Sequence, residues 1–224
     1  MSTPTIKLDD GTGSDIWQIS EHAASQQVTV QLSEASDQTI TVDYATDNAD
    51  SFLSFAKTAI ATNVDGAEDV YVADLDGDGD LDIVSASNLD DTIAWYENDG
   101  SINPSFTKID ISTSTVSAYD LYIADIDNDG DLDIVSGGVT SNEIAWFEND
   151  GGENPSWTKA VIATTANHVR DVDVADIDGD GDLDIVSASN ADNTIAWYEN
   201  DGGENPSWSA TDIDTNSSGA NDVH

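Results

Sequence analysis

Short apolar runs separated by turn residues recur along most of this chain. Between residues 69 and 111 four of them follow one another: DVYVAD (69–74), LDIVSAS (81–87), TIAWYEN (92–98) and SFTKIDI (105–111). Their length and their content of β-branched and aromatic residues predict strands, and no window shows a sustained helical period. The segments VYVA and IAWY are apolar at consecutive positions, which indicates a sheet covered on both faces.

The same pattern returns at a period of 51 residues without a gap, as Trp95, Trp146 and Trp197 show. Aspartates 69, 120, 171 and 222 and prolines 104, 155 and 206 keep the same spacing. Four strands in a unit of this length are typical of β-propellers, in which each four-stranded blade is covered by its neighbours. The sequence therefore predicts an all-β protein, a β-propeller that is either incomplete or closed as a small four-bladed ring.

Two regions follow from this repeat. Residues 51–224 contain three complete aspartate-rich loops and a fourth unit that stops within its first strand, which favours an incomplete array. Residues 1–50 are predicted to be an N-terminal β segment. Residues 27–60 share the register of the second to fourth strands of a unit, with Tyr44 at the tryptophan position. If that segment is a degenerate blade completed by the C-terminal strand, a four-bladed ring closes instead.

The charge of the chain limits the classes of molecule that it is expected to bind. The sequence has 46 acidic and five basic residues, a net charge of -41, which repels nucleic acid and anionic membrane and attracts cations. No apolar run is long enough for a membrane span, so no membrane insertion is expected, and no secretory signal is visible. The chain has no cysteine, which leaves the redox compartment open.

Three loops of alternating aspartates lie between the first and second predicted strands of each unit. They read DLDGDGDLD (74–82), DIDNDGDLD (125–133) and DIDGDGDLD (176–184). Alternate carboxylates on a tight loop can converge on one centre, where only a hard cation offsets their repulsion. Calcium accepts six to eight oxygen ligands in irregular geometry, whereas magnesium requires a strict octahedron. We therefore expect about three calcium ions, one in each loop, with a structural role.

Each loop provides its predicted ligands from positions 1, 3, 5, 7 and 9. Position 7 is expected to give its backbone carbonyl, and the others are expected to give their side chains. An EF-hand is excluded because position 12 is a serine and strands flank the loop. The predicted metal ligands are Asp74, Asp76, Asp78, Asp80, Asp82, Asp125, Asp127, Asp129, Asp131, Asp133, Asp176, Asp178, Asp180, Asp182 and Asp184.

The segments VADLDGDGDLDIVSAS and IAWYENDG, repeated at this spacing over about residues 52–224, resemble FG-GAP and VCBS repeats. That resemblance implies a calcium-binding β-propeller, most often seven-bladed, of the kind found in integrin alpha chains and in bacterial surface or secreted proteins. It also implies adhesion or ligand binding outside the cell. The stretch at residues 19–47 weakly resembles part of a Calx-beta domain, a β-sandwich module.

Catalysis is not predicted. The three histidines, His22, His168 and His224, occupy different registers, and the chain has no nucleophile elbow, zinc spacing or phosphate-binding glycine loop. Trp95, Trp146 and Trp197 are expected to pack between blades, whereas Trp157 and Trp208 are better candidates for exposure.

Three functions remain open at this point. The first is a non-enzymatic recognition or adhesion module at the cell surface or outside the cell, with a protein or glycan ligand. The second is a structural protein that self-associates through its terminal strands. The third is an accessory domain of a secreted carbohydrate-active enzyme.

Overall fold

The computed structural model of the protein describes residues 5–7, 16–18, 58–114 and 117–224. The chain divides into two units, residues 1–58 and 59–224. In the first unit, β1 (Thr5–Lys7) pairs antiparallel with β2 (Ile16–Gln18). The Calx-beta-like stretch and most of the candidate degenerate blade lie outside the described residues. The boundary at residue 50 also lies outside them, and so these interpretations stay predictions.

The second unit consists of three four-stranded antiparallel sheets, each a simple meander of consecutive strands. The predicted strand bounds agree with those of the structure to within two residues. No helix occurs in the described part of the chain, and the described residues form no closed ring, so the prediction of an all-β, partial propeller is confirmed. The first sheet contains β3 (Ala67–Ala73), β4 (Asp82–Ser87), β5 (Thr92–Asn98) and β6 (Phe106–Ser112); the second, β7 (Ala118–Ala124), β8 (Asp133–Gly138), β9 (Ile144–Asn149) and β10 (Trp157–Ala163); the third, β11 (Val169–Ala175), β12 (Asp184–Ser189), β13 (Thr194–Asn200) and β14 (Trp208–Asp214).

The sheets pack face to face through their central strands. Val84 and Trp95 of the first sheet lie in one apolar cluster with Leu121, Ile134 and Phe147 of the second sheet. Trp95 is 1% exposed, which agrees with a packing role between blades. This arrangement explains the apolar runs, because the central strands of the second sheet contact a neighbouring sheet on each face.

The second and third sheets repeat the arrangement. Val135 and Trp146 of the second sheet cluster with Val172, Ile185 and Tyr198 of the third. The equivalent Trp197 in the third sheet is only partly buried, because it lies on the face that no further sheet covers in the described part of the chain.

The first sheet also has an open face, one that no other sheet of the described residues covers. Val70 on β3 is 61% exposed, whereas its equivalents Leu121 and Val172 are 4% and 3% exposed. Val72, next along the same side of β3, is 54% exposed. An apolar sheet face of this kind is a surface on which a further layer can pack.

Aspartates on the first strand of each sheet connect it to the next sheet. The Leu121 N–H donates to Asp69 Oδ2 at 3.1 Å, and the Val172 N–H donates to Asp120 Oδ2 at 2.7 Å. The Val223 N–H donates to Asp171 in the same way, so the final residues lie against the third sheet. These bonds explain why an aspartate returns at this position in the first three units.

Asp120 is the most strongly perturbed of these aspartates. Burial, together with the charges of Asp171 and Asp69, raises the pKa of Asp120 to about 8. Its side chain is hydrogen-bonded to that of Asp171. This shift favours the protonated form of the Asp120 carboxyl as the donor of this bond, which would remove one like charge from the row of aspartates.

Candidate metal centre

Each aspartate loop makes the turn between the first and second strands of a sheet, at residues 74–81, 125–132 and 176–183. The turn requires left-handed backbone at two positions in each loop. Gly79 has φ +96°, and its equivalent Gly130 has φ +100°. In the second loop Asn128 replaces a glycine and has φ +60°, a conformation that asparagine tolerates better than most residues.

The loops gather their carboxylates as the sequence predicts for positions 1 and 3. In every loop one oxygen from each of three aspartates lies within 4.8 Å of the other two. Oxygens that share a calcium ion at about 2.4 Å are at most about 4.8 Å apart, so the spacing fits that ion. The three groups are Asp74, Asp76 and Asp78; Asp125, Asp127 and Asp133; and Asp176, Asp178 and Asp180.

The third member differs between loops. Position 5 completes the group in the first and third loops, whereas position 9, Asp133, completes it in the second. The Asp129 N–H of the second loop donates to Asp125 at 3.0 Å, whereas the equivalent Asp78 N–H donates to Asp76 at 3.3 Å. The second loop, which has Asn128 in place of glycine, therefore holds Asp129 by a different hydrogen bond.

Backbone N–H groups hold the carboxylates at the start of each loop in place. The Gly79 N–H donates to Asp74 Oδ2 at 3.0 Å, and the Gly130 N–H donates to Asp125 Oδ2 at 3.0 Å. A carboxylate that accepts one bond per oxygen keeps lone pairs for a further partner. The main chain of the loop thus orients these side chains toward the centre.

Two buried carboxylate oxygens in the described loops have no hydrogen-bond partner. Asp74 Oδ1 and Asp127 Oδ1 are buried atoms that accept no hydrogen bond. Burial, with contributions from neighbouring carboxylates, raises the pKa of Asp76 and of Asp127. None of the ion pairs in the described part of the chain involves a loop aspartate. The residues therefore fit a hard divalent cation, which would supply the missing positive charge.

Position 9 of each loop has a second role that its spacing did not reveal. Asp133 is fully buried and accepts the Ile126 N–H at 3.1 Å and the Asn149 N–H at 2.8 Å, one on each oxygen. Asp82 and Asp184 make the equivalent pairs of bonds. Burial raises the pKa of Asp133 to about 7. This aspartate fixes the start of the loop to the end of the third strand.

Position 7 lies apart from the gathered carboxylates. A Cβ added to Gly151 would overlap the Asp131 carboxylate, and the same relation joins Gly100 to Asp80 and Gly202 to Asp182. Each of these aspartate side chains therefore lies against the glycine of an Asn-Asp-Gly turn. That placement is compatible with the prediction that position 7 contributes its backbone carbonyl, which stays a prediction.

An asparagine at the end of the third strand is a site residue that spacing alone did not identify. Asn149 and Asn200 are each 1% exposed, and their side chains donate to backbone carbonyls of two aspartate loops. The sequence carried a signal, since asparagine returns at 98, 149 and 200 in strict register. Recurrence alone, however, does not show what the asparagine side chain contacts.

The other singled-out residues lie away from the loops. Trp157 and Trp208 are partly buried and pack against the two apolar clusters, so they are less exposed than expected. His168 has φ +67° at the start of the third sheet, and His224 pairs with Asp222 at 3.4 Å. His22 lies outside the described residues.

Comparison with known families agrees with this geometry. The model of the FG-GAP-like repeat matches the chain three times, at residues 74–136, 125–187 and 176–224. The chain belongs to the FG-GAP-like repeat family. Each match begins at the first aspartate of a loop, and the first two extend through the next loop, so the family unit includes the loop and the strands around it. No curated protein matches the chain. In the part of the chain that the structure describes, no helix is long and apolar enough to cross a membrane.

Proposed function

We propose that this chain is a calcium-binding β-propeller repeat module of an extracellular or cell-surface protein, and that it serves adhesion or the recognition of a protein or glycan ligand. The observation that carries the proposal is the threefold convergence of aspartate oxygens within 4.8 Å at equivalent loops. FG-GAP-like repeats are typical of extracellular proteins, and millimolar calcium outside cells suits sites of modest affinity.

In this proposal the calcium ions are structural. Each loop joins two strands of one sheet, and its first and ninth positions are fixed by backbone N–H groups. A cation held there would stabilise the turn and leave few positions for a substrate. The proposal includes no enzymatic activity, since the acidic side chains of the loops are committed to the cation and to the main chain.

The number of calcium ions that each molecule binds can be measured directly. Isothermal titration calorimetry on the chelator-treated chain is expected to show three ions per molecule, with dissociation constants of about 0.1 to 1 mM. Replacing position 3 of one loop, as in Asp127→Asn, removes one of the gathered carboxylates and is expected to reduce the count to two. Asp212→Asn, which removes one charge from an exposed position on β14, should leave the count at three. A chain that binds no calcium at about 10 mM contradicts the proposal.

Self-association is a second candidate function, supported by the open face of the first sheet. Val70, Val72 and Ile60 are all at least 42% exposed there. If this face contacts a second copy, sedimentation equilibrium in calcium should show a mass that rises with concentration, and Val70→Lys should abolish that rise. If the calcium-loaded chain is a monomer at every concentration, self-association is excluded as a function and the recognition function is unaffected.

A further inference from the structure

The asparagine at the end of the third strand links aspartate loops of consecutive sheets. Asn149 ends β9, and its side-chain nitrogen donates to Leu132 O at 3.1 Å in its own sheet. The same nitrogen donates to Leu75 O at 2.9 Å, which belongs to the loop of the preceding sheet. Its Oδ1 accepts the Gly151 N–H at 3.0 Å. Both hydrogens and the oxygen of the amide are therefore used.

The carbonyl that Asn149 holds is within the preceding candidate site. Leu75 lies between Asp74 and Asp76, and it is 3% exposed. Because Leu75 O belongs to the peptide that precedes Asp76, the bond fixes the main chain from which one gathered carboxylate projects. The geometry of the first loop thus depends on a side chain of the second sheet.

At its other end, the same residue contacts the loop of its own sheet. The Asn149 N–H donates to Asp133 Oδ1 at 2.8 Å, and Asp133 belongs to the gathered carboxylates of the second loop. A continuous path of hydrogen bonds therefore runs from the second loop through Asp133 and Asn149 to the first loop. Buried paths of this kind transmit a change in order from one end to the other.

Asn200 repeats this arrangement one sheet later. Its N–H donates to Asp184 at 2.9 Å, and its side chain donates to Leu183 O at 3.1 Å and to Ile126 O at 3.2 Å. Ile126 lies between Asp125 and Asp127 of the second loop and is fully buried. The second and third loops are therefore joined by equivalent hydrogen bonds, although Asp184 lies outside the gathered carboxylates of the third loop.

Asn98 provides an internal control. Asn98 makes the hydrogen bonds within its own sheet. Its N–H donates to Asp82 at 2.8 Å, and its side-chain nitrogen donates to Leu81 O at 2.9 Å. It donates to no loop of an earlier sheet in the described part of the chain. Comparing Asn98 with Asn149 therefore separates the role within a sheet from the link between loops.

We propose that Asn149 and Asn200 are positioning residues that couple cation binding at consecutive loops, so that filling one loop raises the affinity of its neighbour. This inference rests on the proposed calcium-binding function. A cation at the second loop orders Asp133 and, through Asn149, the Leu75 carbonyl. The first loop then pays less ordering entropy when its own cation binds, which is positive cooperativity.

Site-resolved calcium titration by NMR tests the coupling. The amides of Gly79, Gly130 and Gly181 donate to the first aspartate of their loops, so each reports the occupancy of one site. In the unmodified protein we expect the three curves to rise together, more steeply than for independent sites. Asn149→Ala should move the Gly79 midpoint to about fivefold higher calcium. The Gly130 and Gly181 curves should stay coincident in that variant.

The complementary variants make the test specific. Asn200→Ala should separate the Gly181 curve from the other two, whereas Asn98→Ala should leave the three curves coincident. If Asn149→Ala does not fold, Asn149→Asp replaces it in the test and is expected to give the same separation of curves. Asn149→Asp keeps the acceptor for the Gly151 N–H and loses both donors of the amide. Coincident curves in Asn149→Ala, an equal separation in Asn98→Ala, or independent curves in the unmodified protein overturn the coupling alone. The absence of any titration overturns the calcium-binding function as well.

Discussion

Saturating calcium is expected to raise the melting temperature of the repeat array by roughly 12 to 24 °C over a chelator-treated sample. A ligand present at about thirty times its dissociation constant stabilises the folded state by about 2 kcal/mol per site. Three such sites contribute about 6 kcal/mol, and 1 kcal/mol corresponds to about 2 to 4 °C for a chain of this size. Differential scanning calorimetry of the chain in calcium and in chelator measures the shift.

The physical reason is electrostatic. Without a cation, Asp74 and Asp127 each keep a buried oxygen that accepts no hydrogen bond, and none of the described ion pairs reaches a loop aspartate. Magnesium at the same concentration is the control, and it should produce a smaller shift because it retains its waters. A variant with Asp76→Asn, Asp127→Asn and Asp178→Asn should lose most of the calcium effect. Equal melting temperatures in calcium and chelator would contradict the structural role of the ion.

The strand pattern could be predicted from sequence because the same signals return in each unit. Turn residues follow every apolar run at fixed spacing, so an ambiguity in one unit is resolved by the others. The strands therefore agree to within two residues, and the packing of Trp95 and Trp146 follows from runs that are apolar on both faces. Trp197 departs from that pattern because burial of this position requires a following sheet.

The aspartate loops could be predicted only in part. Spacing along the chain indicated side-chain ligands at positions 1, 3, 5 and 9, and three of these four are gathered in each loop, positions 1, 3 and 5 in the first and third. In the second loop, Asp133 is gathered in place of Asp129. Alternation along the sequence specifies which residues are near one another, but the hydrogen bond of the Asp129 N–H to Asp125 depends on the local backbone path.

The links between sheets could not be predicted from spacing within a unit. Asn149 contacts Leu75, 74 residues earlier in the chain, and Asp120 contacts the Val172 N–H, 52 residues later. Both contacts depend on how two sheets are placed against each other. The strict recurrence of asparagine and aspartate at these positions was visible, but recurrence alone did not separate turn chemistry from contacts between sheets.

Asp133→Ala is expected to lower the free energy of unfolding by about 3 to 5 kcal/mol, even in chelator. The fully buried side chain accepts the Ile126 and Asn149 N–H groups. Its removal leaves both donors without a partner, and each buried unsatisfied group costs about 1 to 3 kcal/mol. Asp133→Asn should cost about half as much, because the amide oxygen accepts one N–H while the amide nitrogen faces the other. Urea denaturation in chelator measures these differences.

Asp129→Ala is the matched control, since it changes an exposed aspartate of the same loop. In chelator it should cost less than about 1 kcal/mol, because its carboxylate accepts only the Asp131 N–H at the surface. The large difference between the two variants in chelator would show that position 9 stabilises the fold without a cation, in addition to any part it takes in binding one. The opposite result is that Asp133→Ala lowers the free energy of unfolding no more than Asp129→Ala in chelator, and lowers it further only when calcium is added. Asp133 would then act solely through the cation, and the two backbone bonds that it accepts would contribute little to stability.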